Sequence, residues 1–98
     1  MVKHIVIWRL KGEGSEKIRA ALRVKSLLEG LQGKIPGLLK IEVGVNFLND
    51  SNAGDIALYS EFIGRSALGV YQDHPAHEAV KPQVRELATE RRSVDYDC

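Results

Sequence analysis

VKHIVIWRL, residues 2–10, carries apolar bulk on both halves of its alternation. In a strand, His4, Val6, Trp8 and Leu10 would share one face, and Lys3, Ile5, Ile7 and Arg9 the other. A strand that is apolar on both faces needs cover on both. The chain's own helices can supply one cover. A partner chain can supply the other.

The segments on either side support this reading. Gly12 to Gly14 ends the strand, and Ser15 is a natural N-cap with Glu16 at the positive end of a helix. Ile18, Ala21, Val24, Leu28, Leu31 and Ile35 then recur at threes and fours, the mark of an amphipathic helix. Gly33 and the Pro36-Gly37 turn close it. A second strand is predicted over residues 38–46, with Leu39, Ile41, Val43 and Val45 on one face. The polar cluster LNDSNAGD, residues 48–55, reads as a turn. Beyond it Ile56, Leu58, Ser60 and Phe62 alternate against Ala57, Tyr59, Glu61 and Ile63, so strands two and three form an antiparallel hairpin. A short helical segment through Ala67, Leu68 and Tyr71 is interrupted by Pro75. Helix resumes around Ala76, and Pro82 marks another restart. Arg85, Glu86, Glu90, Arg91 and Arg92 read as a solvated helix face. RRSVDYD, residues 91–97, is a short last strand. The order is β-α-β-β-α-β, the split βαβ or ferredoxin-like pattern of an α+β fold with an antiparallel sheet.

Composition narrows the function. The 98 residues are one domain's worth, 44% hydrophobic and 28% charged, with a net charge of +1. That charge gives no general attraction to nucleic acid or membrane, and no basic stripe with interleaved aromatics is present. No apolar run is long enough to span a bilayer, and the N-terminal stretch is too short for a secretory signal. The lone cysteine, Cys98, has no intrachain partner, so a cytoplasmic protein without disulfides is expected. There is no glycine-rich phosphate loop, nucleophile elbow or CxxC.

YQDHPAHEAV, residues 71–80, holds what could carry chemistry. Tyr71 and His77, six apart, would diverge on one regular helix, at about 100° per residue. Pro75 breaks the helix and can turn both side chains to one side. An imidazole can take a proton near neutral pH, and a phenol can hydrogen-bond an oxygen where negative charge develops. The same residues also fit a plainer role, with Tyr71 packed in the core, its hydroxyl wet, and His77 capping or packing. His4 lies on the strand face of Val6 and Trp8. If helices cover that face, it looks toward the Tyr71–His77 segment. His4, His74 and His77 are three possible zinc ligands, but no spacing of known metal geometry is present and no metal is expected.

VKHIVIWRLK, IPGLLKIEVGVN, YQDHPAH and SVDYD together, in this order and spacing, resemble the stress-responsive dimeric α/β-barrel (Dabb) family across nearly the whole chain. The resemblance implies a homodimer in which two four-stranded sheets face each other as a dimeric α+β barrel, the helices outside. Ile5 and Ile7 would then face the partner's sheet. The family includes a cofactor-free polyketide cyclase of plants. Its catalytic tyrosine and histidine fall on Tyr71 and His77, and its first-strand pocket histidine falls on His4. A further pocket histidine falls at about Ile56, a departure that puts the substrate in question. Trp8 is bulkier than the aliphatic residue expected there, which implies a shorter pocket. The implied enzyme needs no cofactor: His77 is the general base, Tyr71 stabilises an enolate oxygen, and His4, Val6, Trp8 and Ile56 contact substrate. The alternatives are a non-catalytic protein holding a small apolar ligand in the same pocket, and, by fold analogy, a cofactor-free monooxygenase.

Overall fold

A computed structural model describes residues 1–98. The elements are β1 (Val2–Leu10), α1 (Ser15–Glu29), β2 (Leu38–Val45), β3 (Ile56–Phe62), α2 (Arg65–Asp73), α3 (Pro75–Leu87) and β4 (Ala88–Asp97). The strands form one antiparallel sheet in the order β2-β3-β1-β4, as the ferredoxin-like reading predicts. All three helices lie on one side of it. No helix is long and apolar enough to cross a membrane.

The alternation of β1 and β3 sets the layers. Val2, His4, Val6, Trp8 and Leu10 are buried under the helices, as are Ile56, Leu58, Ser60 and Phe62. Cross-strand partners share a face, and the register pairs His4 with Ser60, Val6 with Leu58 and Trp8 with Ile56. The Ser60 hydroxyl, itself buried, donates to the His4 carbonyl at 2.8 Å. The other face carries Ile5, Ile7, Tyr59, Val94 and Tyr96 with nothing over it; Ile7 is 45% and Val94 59% exposed.

Local departures from the sequence expectations each have a physical cause. Gly14, not Ser15, caps α1. Its φ of +58 turns the chain into the helix one residue earlier, and no side chain caps the end. Ile18 is exposed because, at about 100° per residue, it sits roughly a quarter-turn from the stripe of Ala21, Val24 and Leu28. The α-helix stops at Glu29, yet Leu31 and Ile35 stay buried, because the chain continues in turns that bond back three residues. In β2 an irregularity between Leu38 and Lys40 puts Leu38, not Leu39, on the face of Ile41 and Val43. Gly37 must be glycine: its φ is +81, and a Cβ there would lie 2.5 Å from the Ala67 Cβ. That close approach fixes the turn against α2.

Pro82 starts no new helix. It lies inside α3, which runs unbroken from Pro75 to Leu87. The chain then passes into β4 at Ala88 with no loop between them. The last strand is therefore ten residues long and begins at Ala88. The mixed-charge cluster is not one helix face: Arg85 and Glu86 belong to α3, while Glu90, Arg91 and Arg92 alternate along β4.

Candidate functional site

Pro75 builds the site. α2 ends at Asp73, and His74 takes the extended backbone that a residue before proline favours. Pro75 then opens α3 at a position where a missing N–H costs nothing. The His74 Nδ1 accepts from the Ala76 backbone N–H at 3.1 Å, so this imidazole caps the new helix. The break rotates α3 until His77 lies on Tyr71. Their rings stack with centroids 4.0 Å apart and planes 19° from parallel.

The His77 Nδ1 is 3.1 Å from the Tyr71 carbonyl oxygen. A carbonyl only accepts, so Nδ1 carries the proton and donates it, and Nε2 is left as the basic nitrogen. Burial lowers the His77 pKa below the usual imidazole range, helped by the Lys81 charge and opposed by its hydrogen bonds to the Tyr71 and Gln72 backbone and by Glu78. The ring is neutral at pH 7 and able to accept a proton.

Tyr71 is 1% exposed, and its hydroxyl has no hydrogen-bond partner. Leaving a buried hydroxyl unpaired costs ~1–3 kcal/mol. Burial drives its pKa far above the ordinary phenol value, against the contrary pull of the Arg91 charge. The hydroxyl is thus a donor through the whole neutral range, with nothing to donate to.

His4 stands next in the row. Its ring meets Tyr71 edge-on at 6.0 Å and Phe62 at 6.4 Å between centroids. Its Nδ1 pairs with an Asp95 carboxylate oxygen across the β1–β4 ladder, where the two residues are register partners. Asp95 lies in SVDYD but did not stand out in the sequence as a site residue. The signal was available: with β4 antiparallel to β1, the alternation puts Arg91, Ser93 and Asp95 on the His4 face.

These side chains border a cavity of about 480 Å³ between the sheet and α3, a size ordinary for a small-molecule site. His4, Val6 and Trp8 from β1 line it, with Tyr71 and His77. Ile56 does not. It is the register partner of Trp8 on β3, on the side of β1 away from β4, and is buried in the core. Lys81, Arg85 and Arg91 also reach the cavity; the sequence marks the two arginines only as part of a solvated charged face, and Lys81 not at all. No group of three or more His, Cys, Asp or Glu side chains is arranged to hold a metal ion.

Comparison with known proteins agrees with this architecture. A family model described as the stress responsive A/B barrel domain (Dabb) matches residues 2–98. An uncharacterised protein of Streptomyces coelicolor is 33% identical over 90 residues, covering 91% of this chain and 92% of that protein. A dimeric protein of unknown function and ferredoxin-like fold from Bacteroides fragilis is 37% identical, with a TM-score of 0.87 over 99% of this chain and 95% of its own. The hydroxynitrile lyase of Passiflora edulis shares the fold at 16% identity, with a TM-score of 0.81 over 97% of this chain and 90% of its own.

Proposed function

The chain belongs to the stress-responsive A/B barrel (Dabb) family, and on that premise we propose that it is a homodimer whose cavity binds a small, largely apolar carbonyl compound and moves a proton within it. The observation that carries this reading is the Tyr71 hydroxyl, buried, protonated and unpaired beside a neutral imidazole whose free nitrogen is fixed as Nε2. Proton transfer next to a carbonyl needs those two states together. The His77 Nε2 takes the proton from the carbon. The C–H electron pair becomes an enolate, and Tyr71 donates to its oxygen. The proton then returns from His77 to the product, so nothing is consumed and no cofactor is needed. His4, held by Asp95, orients the substrate, and Val6 and Trp8 pack against its body. The Passiflora relative is a hydroxynitrile lyase, which fits an enzyme, but at 16% identity it speaks for the fold and not for the reaction.

The second reading is a binding protein that uses the same cavity without turnover. One feature favours it: His77 meets the face of the Tyr71 ring and its backbone, not its hydroxyl. Hydrogen–deuterium exchange next to the carbonyl of alkyl phenyl ketones, followed by NMR, separates the two. Exchange accelerated by the wild type and lost in His77→Ala supports the enzyme. Saturable binding without exchange supports the binding protein.

The homodimer reading rests on the uncovered sheet face. Ile5, Ile7 and Val94 form its apolar centre, and each aliphatic side chain removed from water is worth ~1.5–3 kcal/mol. The dimeric Bacteroides relative supports the same assembly.

A further inference from the structure

We propose that the molecule held in this cavity carries a carboxylate, and that Arg91, aided by Arg85, is the group that holds it. The inference rests on the cavity being a ligand site and adds the chemical class of the ligand.

Three cationic side chains line the cavity, Lys81, Arg85 and Arg91, against one carboxylate, Asp73. Lys81 is already satisfied: its ammonium donates to Glu78 at 2.6 Å and to the Gln72 carbonyl at 2.5 Å. The two arginines are exposed and form no ion pair within the chain. The salt bridges made by lysine and arginine use Arg9, Lys17, Lys25, Lys40, Arg65 and Lys81, and neither Arg85 nor Arg91. The one side-chain contact of the Arg91 guanidinium is a long one, 3.4 Å to the Ser93 hydroxyl.

Position singles out Arg91. It stands on β4 as the register partner of Trp8, so it projects from the helix-facing side of the sheet, next to the apolar wall of the cavity. Its charge also acts on the buried, unpaired Tyr71 hydroxyl. A guanidinium presents a planar fork of donors that matches a carboxylate with two parallel bonds. The remaining wall, with Val6, Trp8, Leu28 and Leu58, is apolar and suits a hydrocarbon body. Asp73 at the same cavity would repel a doubly charged head, which favours a carboxylate over a phosphate.

The test is an amide-resolved NMR titration of the full chain with 4-butylbenzoate and its neutral isostere 4-butylbenzamide, at neutral pH and low salt. The expected result is an acid that binds at least about tenfold tighter than the amide, the scale of one hydrogen bond to a charged group. Arg91→Gln should weaken the acid far more than the amide and so remove that preference, while Arg19→Gln on α1 should change neither affinity. Equal binding of acid and amide by the wild type overturns the inference, as does a preference that survives Arg91→Gln combined with Arg85→Gln. Binding of the amide alone overturns it while leaving the ligand-site reading intact. No cavity shifts with either compound overturns both.

Discussion

The imidazole of His77 lies flat on the ring of Tyr71, and its Nδ1–H reaches back to the same residue's carbonyl oxygen at 3.1 Å. One residue therefore supplies both the surface that positions the base and the bond that fixes its tautomer. The Tyr71 hydroxyl takes no part in either contact.

Tyr71→Phe should separate stability from function. The hydroxyl is buried with no partner, so removing it relieves a desolvation cost of ~1–3 kcal/mol and keeps the stacked ring. Chemical denaturation should show the variant as stable as the wild type or more so. Ketone exchange should fall by about two to four orders of magnitude if the hydroxyl stabilises an enolate. A variant that is clearly less stable would mean that the hydroxyl has a partner in solution.

His77 should make the fold sensitive to mild acid. Its folded pKa lies below the unfolded value of about 6.5, chiefly through burial. Between those two values the unfolded chain binds more protons than the folded one, so stability falls as pH drops. His77's contribution is fully present above about pH 6.5 and is lost as pH falls through the folded pKa. His77→Gln should flatten this part of the stability–pH profile. Lys81→Met, which removes a neighbouring charge, should raise the His77 midpoint seen by NMR. A His77 midpoint at or above the model-peptide value would contradict the burial on which the site depends.

Asp95 should matter more as an acceptor than as a charge. His4 is 4% exposed and Nδ1 has Asp95 as its partner. Asp95→Ala leaves a buried ring nitrogen unpaired, at ~1–3 kcal/mol. Asp95→Asn keeps an acceptor oxygen and should recover most of the loss. Thermal melts of both variants check this. Equal destabilisation by Ala and Asn would show that the charge is what matters.

The fold could be read from the sequence because its periods are clean. Trp8, Leu58 and Phe62 fall on the buried face by simple alternation, and Pro75 marks the only break between helices. Where the period is broken locally, the reading slipped. Alternation places Leu39 on the face of Ile41 and Val43, because an irregularity in register leaves no trace in composition. Glu90 reads with the helix, and the last strand reads from Arg91 and not Ala88, because α3 gives way to β4 with no glycine or proline between them. The site divides along the same line. Tyr71 and His77 share one stretch of chain, so the proline that joins them is visible beside them. Asp95 meets His4 across 91 positions of sequence, through a ladder that exists only once β4 is assembled. Ile56 is the converse case: on the correct face, yet buried in the core at the start of β3, while Leu58 two residues on reaches the cavity.

The uncovered face of the sheet leads to the last prediction. Val94 is 59% exposed at the register position of Ile5, in an edge strand otherwise dominated by polar and charged residues. Such a strand holds a large aliphatic residue most economically if something covers it. In the proposed homodimer Val94 lies within the sheet-to-sheet contact, and Val94→Glu would bury a carboxylate without a partner. The side chain touches little in the isolated subunit, so the monomer should fold normally. Sedimentation should show a wild-type dimer at micromolar concentration and a Val94→Glu monomer with an unchanged circular dichroism spectrum. Glu86→Ala, on α3 across the sheet from this face, serves as the control and should stay dimeric. If Val94→Glu sediments as the wild type does, this face is not the interface, and Ile7 and Val94 are solvated in the native protein.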